Sequence, residues 1–596
     1  MDKKDLHWAD LHASLIIEKN DKDKYTCASG ITPSGTIHIG NFREIISVEL
    51  VTRALKKLDK EARFIYSWDD YDVFRKVPKN MPKQELLKSY LRQPVTNIPD
   101  VFDEYDNYAE KCEKDIEKCL PKLGIFPEYL YQAKKYRNSE YAEGMKIALE
   151  NKALIINILN ESKTGESKLD NTWWPISIFS SFTNKDNTKI ISWDKEYNIT
   201  YQCLDTNKTE TIDLKTTSLA KLHWRLDWPM RWNHEKVDFE PAGKEHHSAG
   251  GSFDTAKKIA KQIYNKEAPH TFKYDFIINK GGGKMSSSSG ELASISDVLK
   301  IYTPEITRYM FASTIPNKEF TIDFGLEVIK NYEDYDKCER IYYTLEESKK
   351  NKKPINDRIY ELSQINTVQK KAPLQIPFRY FSNLIQVNEN IDLAIEQFLN
   401  ENAMDKNDLD SYNLISLQNR GLCIKNWLNY IFEMDTSRLE KKYNKKCEEY
   451  IKKIEEFLKK DNDETKYKNG EPVKRKNKLK DLDQDSKKIY NDFKNSVNAS
   501  DFIFILQDQK NELNFSNLEK EILAFFIDDL KLLTDFTEKN IENIIYNIKD
   551  RYNIDIKEIF KLFYKALTAR EKGPKLAKFI VSISKSRVIK IINNYL

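Results

Sequence analysis

Two glycine-bearing loops in this chain carry residue types suited to phosphate. The first, ASGITPSGTIHIGNFRE, runs from Ala28 to Glu44. Gly30, Pro33, Ser34 and Gly35 make it a loop, and His38, Gly40 and Asn41 stand where a helix should begin. Glycine lets backbone approach a ligand closely, and a helix N-terminus offers unpaired N–H groups and positive potential to an anion. His38 and Asn41 are one helical turn apart, so both can point at one phosphate group. The second loop, INKGGGKMSSSSGE, sets three glycines before Lys284, Met285 and a serine run that starts at Ser286. A flexible, donor-rich loop with a lysine directly after its glycines suits pyrophosphate. Alone, a histidine at a helix start or a serine run in a linker is ordinary; the two loops together point to a nucleotide.

The elements around these loops are those that would position them. A strand is expected over 25–28 and a helix over 41–58, with Ile45, Val48, Leu50 and Leu55 at helical spacing. A second strand over 63–68 ends in Asp69, Asp70 and Asp72. Strand, glycine loop, helix and strand is the opening of an α/β fold with a doubly wound, Rossmann-like parallel sheet, whose ligands lie beyond the C-terminal strand ends. Residues 1–77 are its first half. Residues 78–220 read as an insertion, helical and charged at first, with the Thr/Ile/Tyr alternation of short strands near 190–214. Residues 221–300 return to glycine-rich nucleotide-fold sequence, and 301–345 connect it to the C-terminal part of the chain. From about residue 336 the pattern is almost wholly helical, making 346–596 an all-helical C-terminal region, with a charged low-complexity stretch near 441–480. No internal repeat stands out.

Composition narrows the class. A chain of 596 residues is too long for one core. Its 97 Lys+Arg against 93 Asp+Glu exclude a uniformly basic nucleic-acid coat and leave room for local basic faces. The seven cysteines form no C-x-x-C pair, so reduced thiols, a cytoplasmic location and no structural zinc are expected. No apolar run approaches the roughly 20 residues of a membrane span, and the first 25 residues lack the apolar core of a signal peptide.

PSGTIHIGN resembles the HIGH signature, and KMSSS the KMSKS signature, of class I aminoacyl-tRNA synthetases. In order along the chain, FIYSWDDYD, WRLDWPMRW, FEPAGKEHHSAGGSFDT, PNKEFTIDFG and the late LTAREKGPKLAKFI resemble class I lysyl-tRNA synthetase. The resemblance implies ATP-dependent activation of L-lysine and transfer to tRNA(Lys), with Mg²⁺ arriving on ATP. By position it implies catalytic roles for His38, Asn41 and Lys284. It puts ATP at Ser34, Gly35, Gly40, Glu245, Met285 and Ser286, and lysine at Gly30, Thr32, Trp224 and His246. Asp69 and Asp70, at a strand end, either accept the lysine ammonium or hold their loop in shape. Arg570, Lys572 and Lys575 would hold tRNA, with Tyr552, Phe563 and Tyr564 as stacking faces or as core; residues 301–345 would be the stem-contact region and the helical region would read the anticodon, while the sequence leaves the oligomeric state open with a monomer favoured.

Two departures bear on function. Glu245 stands where the family usually has Asp. Ser287 and Ser289 fill places where members usually carry a second lysine, leaving Lys284 as the only lysine after the glycines. Two rival readings stay open: a binding-only tRNA or RNA paralogue whose signature loop has decayed, and a glutamyl-type class I synthetase, which WRLDW and GKEHH disfavour.

Overall fold

The computed structural model describes residues 5–33, 37–78, 81–161, 163, 167–248, 250–275, 277–278, 293–349, 352–432, 503–508 and 513–596. The chain forms two compact units, Met1–Ala372 and Pro373–Leu596. Residues 346–372, grouped from the sequence with the helical region, lie in the first unit.

In the first unit, helix α1 (Trp8–Lys19) leads to strand β1 (Lys24–Ile31), helix α2 (Ile39–Lys57), strand β2 (Glu61–Trp68) and, after part of the insertion, strand β3 (Glu128–Tyr131). The three strands are parallel in the order β1-β2-β3, with Lys24 opposite Glu61 and Ile31 opposite Trp68. Five of the eight β1 residues and six of the eight β2 residues are buried, as expected of strands covered on both faces. On the other side of β1, Cys27 pairs with Phe239 and Phe239 with His270, all parallel. Ala242–Gly243 and Lys273–Tyr274 continue this half. Strand order therefore reverses at β1, and the switch point lies between β1 and the 239–243 segment, where ligands of such sheets bind.

Helix α2 is buried on almost every side, and most of its buried polar residues have partners that offset the cost. Thr52 donates to the Val48 carbonyl at 2.8 Å. Arg43 donates to the carbonyls of Pro316 and Lys318 at 2.8 and 2.5 Å. Glu49 receives Arg53 and, at 2.7 Å, the fully buried Arg308. Arg308 also donates to the carbonyl of Leu123 at 3.0 Å and to that of Leu362 at 2.8 Å. This knot ties α2 to helix Pro304–Ala312 and to the chain at 120–124.

The insertion has its own core. Thr188–Trp193, Asn198–Cys203 and Thr209–Asp213 form an antiparallel sheet, as the alternation predicted, and Ile176–Ile178 pairs with Ala220–Leu222 where the insertion closes. Among the described residues no group of three or more His, Cys, Asp or Glu is placed to hold a metal ion, and no helix is long and apolar enough to cross a membrane.

The second unit is helical in its described residues. Helices Asn517–Leu532, Glu538–Tyr552, Ile556–Thr568, Leu576–Ile583 and Lys585–Asn593 share a core of Phe526, Ile545, Phe563, Ile580 and Ile591 among others. The charged stretch near 441–480 lies outside the described residues.

Candidate active site

The two loops of the sequence meet at their described flanks. The Ile39 N–H, at the start of α2, donates to the Ala293 carbonyl at 3.0 Å. Directly after Ala293, Ser294 and Asp297 form a reciprocal cap that starts helix Ile295–Ile301. Ser34 and Gly35 of the first loop, and Lys284, Met285 and Ser286 of the second, lie outside the described residues.

His38 is the N-cap of α2. Its Nδ1 accepts the Gly40 N–H at 3.1 Å, and its own N–H donates to Asn41 Oδ1 at 3.2 Å. A Cβ on Gly40 would come within 2.7 Å of His38 Nδ1, so glycine lets the ring lie across the helix end. The Asn41 N–H donates to the His38 carbonyl at 2.9 Å. The expectation of unpaired N–H groups at this terminus therefore needs correction. Ala293, the imidazole and the His38 carbonyl already take the first three donors, and of these only the Gly40 N–H is held by a side chain that can move away. The helix dipole remains directed at the same point.

A cavity of about 460 Å³ opens beside Ile37 and Ser294. Asp100, Glu104 and Asp115 line it, with Lys111 as the only basic residue among its described lining, a charge balance unsuited to triphosphate.

The C-terminal end of β1 carries a different chemistry. Gly30 is required there: a Cβ would lie 2.8 Å from the Ser67 carbonyl oxygen of the neighbouring strand. Its N–H and the Ser29 hydroxyl donate to Glu44 Oε1 at 3.2 and 2.8 Å, and the Tyr274 hydroxyl donates to Glu44 Oε2. All three of these donors are neutral, and among the described residues no lysine or arginine pairs with Glu44. Burial raises the Glu44 pKa, against the three hydrogen bonds. A second carboxylate, Glu240, accepts the Trp232 indole N–H at 2.5 Å; burial first and the Glu44 charge second push it up to about 7. Two carboxyl groups therefore stand close together at the switch point, with neutral hydrogen-bond donors on both.

The aromatic residues gather beside it. Helix Trp224–His234 places Trp224 and Trp228 one turn apart, with ring centroids 6.4 and 6.1 Å from His246. His246 Nδ1 lies 2.5 Å from the Ser252 hydroxyl. Trp224 is 39% exposed, and the Arg225 guanidinium lies 5.3 Å from its ring centroid. Glu245, in the same turn as His246, is exposed.

Asp69 and Asp70 make the contacts of loop-holding residues. Arg231 Nη1 donates to Asp69 Oδ1 at 2.7 Å, and Arg231 also ion-pairs with Asp227 at 3.3 Å. Asp70 accepts the Ala133 N–H at 2.7 Å, and burial pushes its pKa up to about 6. Thr32 donates to Asp72 Oδ2 at 2.8 Å, and the buried Lys221 ammonium pairs with Asp72 Oδ1. In the second unit, Arg570, Lys572 and Lys575 occupy the turn between helices Ile556–Thr568 and Leu576–Ile583; Lys575 pairs with Glu538 and Glu542 at 2.6 and 3.1 Å. Phe563 and Tyr564 are core, at 0% and 6% exposure, and so offer no stacking face.

Sequence reading did not single out Glu44, Glu240, Tyr274, Trp228 or Lys221, which the fold brings to this region. Glu44 closes the first loop motif and Trp228 repeats Trp224 at i+4, so those two carried a signal. The others carried none.

Residues 6–366 match the family described as tRNA synthetases class I (K), and residues 449–596 match an anticodon binding domain. The chain is 45% identical over 602 residues to a lysine–tRNA ligase of Borrelia garinii subsp. bavariensis, covering 100% of each chain. A lysine–tRNA ligase of Treponema pallidum is 40% identical, over 100% of this chain and 99% of that one. One of Pyrococcus horikoshii is 33% identical, over 98% and 99%.

Proposed function

The chain belongs to the class I lysyl-tRNA synthetases and is a lysine–tRNA ligase, and from that premise we propose how its residues divide the reaction. The Glu44 carboxylate, set among neutral donors at the switch point, receives the lysine ε-ammonium, with Tyr274 fixing its orientation and Glu240 adding negative potential. This is the observation that carries the reading. A buried carboxylate without a protein cation is costly unless its partner comes from elsewhere. Gly30 and Thr32 hold the amino-acid backbone, and Trp224 and His246 close the pocket over the aliphatic stem, with a cation–π face from the indole. Two carboxylates at the switch point repel glutamate, which opposes glutamyl-type charging.

ATP, carried as its Mg²⁺ complex, binds where the two loops meet. His38, Gly40 and Asn41 face its phosphates. The imidazole gives up the α2 terminus as phosphate arrives, and the helix dipole then works on the bound anion. Glu245 serves the ribose, while Ser34, Gly35, Met285 and Ser286 line the nucleotide. The lysine carboxylate attacks the α-phosphorus in line and pyrophosphate leaves, with Lys284 stabilising the developing charge. Positioning and charge stabilisation carry this step. The terminal 2′-hydroxyl of tRNA(Lys) then attacks the adenylate carbonyl and AMP departs. Arg570, Lys572 and Lys575 hold tRNA from the helical region, and the enzyme works as a cytoplasmic monomer.

The test is ATP–pyrophosphate exchange across the amino acids, with and without tRNA. Lysine supports exchange, and arginine, ornithine and glutamate do so far less. A pocket built around buried polar groups rejects such analogues by about 10⁴ in favourable cases. Exchange with glutamate, or with no amino acid, refutes the assignment.

A further inference from the structure

We propose that Lys221 and Asp72 act as positioning residues that fix the hydrogen-bond polarity of Thr32, making its hydroxyl an acceptor for the α-ammonium of the amino acid. The inference rests on the assignment of Thr32 to the lysine pocket and adds how that residue is set. A threonine hydroxyl has one proton and two lone pairs, and an ionised carboxylate only accepts. The Thr32 proton is committed to Asp72 Oδ2 at 2.8 Å. Only lone pairs are then left to face a ligand, and the group that satisfies them is an N–H donor.

That polarity holds only while Asp72 is ionised. Its other oxygen, Oδ1, is paired with Lys221, which is 4% exposed and stands on strand Ala220–Leu222, where the insertion returns to the sheet. Burial alone would lower the Lys221 pKa; Asp72, Asp227 and Asp69 outweigh it and hold the ammonium above its usual value. Burial likewise would raise the Asp72 pKa, and Lys221, Thr32 and Arg231 outweigh it. Lys221 has a second consequence. It fills a carboxylate next to the pocket with an internal ammonium, so the substrate's side-chain ammonium is directed to Glu44.

The experiment compares lysine with 6-aminohexanoic acid, which keeps the carboxylate and the ε-ammonium and lacks only the α-ammonium. Lysine KM in pyrophosphate exchange and the inhibition constant of 6-aminohexanoate are measured on the full chain with tRNA present. The variants are Asp72→Asn, Lys221→Gln, Thr32→Val and Thr32→Ser. Asparagine can donate to Thr32 and reverse its polarity. Asp72→Asn and Thr32→Val should weaken lysine by roughly ten- to hundredfold, the range of one charge-assisted hydrogen bond, and leave 6-aminohexanoate unchanged. Lys221→Gln should shift the same ratio by less, and Thr32→Ser should preserve it. If lysine and 6-aminohexanoate weaken together in Asp72→Asn and Thr32→Val, the residues hold the pocket's shape only and the proposal falls. It falls also if neither ligand is affected. Should Asp72→Asn not fold, the Thr32→Val and Thr32→Ser pair decides the question. A wild type that shows no lysine-dependent exchange defeats the functional assignment itself, a result distinct from an unchanged ratio.

Discussion

Replacing Glu44 by glutamine should improve the ligand-free protein and damage the enzyme. Glutamine keeps an oxygen for the Ser29 and Gly30 donors at 2.8 and 3.2 Å and removes the charge. For lysine binding, the loss is that of an ammonium–carboxylate contact. Coulomb attraction at 4 Å is about 4 kcal/mol at an effective dielectric of 20, part of which desolvation cancels. The net loss is about 2–3 kcal/mol, or roughly 30- to 150-fold in lysine KM, with the ATP KM little changed. For stability the sign is opposite. Burial raises the Glu44 pKa above its ordinary 4.5. A carboxyl group whose folded pKa is raised contributes its full stability below the unfolded pKa and loses it as pH rises through the folded one. Ligand-free wild type should therefore lose stability relative to Glu44→Gln as pH climbs above 4.5. Thermal melts with and without lysine read both effects. Wild type gains about 2.7 kcal/mol at a lysine concentration about 100 times Kd, and the variant gains only about 0.3–0.9 kcal/mol at the same concentration. A Glu44→Gln enzyme with wild-type lysine KM, or with equal losses for lysine and ATP, would remove Glu44 from the lysine pocket.

His38→Ala should cost about 1 kcal/mol by removing the α2 cap while His38→Asn keeps it, and both should slow single-turnover adenylate formation. Equal melting temperatures for the two variants would show that the cap contributes nothing. Arg308→Met leaves Glu49 short of a partner in a fully buried position and should destabilise the first unit by about 3–5 kcal/mol, measured by denaturant unfolding. Lys284→Ala should cut kcat for adenylate formation by about 10²–10³ with a smaller change in lysine affinity, and Ser289→Lys should raise the rate. No change in either variant would favour a loop that has lost its catalytic role.

Local sequence set the elements and the phosphate loops. Apolar spacing and the glycines predicted β1, α2 and β2 to within a few residues, because strand and helix periodicity are short-range properties of the chain. The strands of the insertion near 190–214 were legible for the same reason. His38, Gly40 and Asn41 were visible as a loop-to-helix transition, though not as a cap already closed on itself. Motif order identified the family because the motifs persist at spacings no single element requires. The pairing of charges, by contrast, came only from the folded chain. Tyr274 reaches Glu44 across 230 residues, Arg308 reaches Glu49 across 259, and Lys221 reaches Asp72 across 149. Nothing in the sequence neighbourhood of Asp69, Asp70 or Asp72 shows which carboxylate is neutralised from within and which is left for a ligand. That depends on where strands and the returning insertion bring distant cations in space. The sheet's switch point puts Glu44 beside neutral donors while Asp69 and Asp72 are paired with Arg231 and Lys221, and it is on this contrast that the proposed lysine role of Glu44 rests.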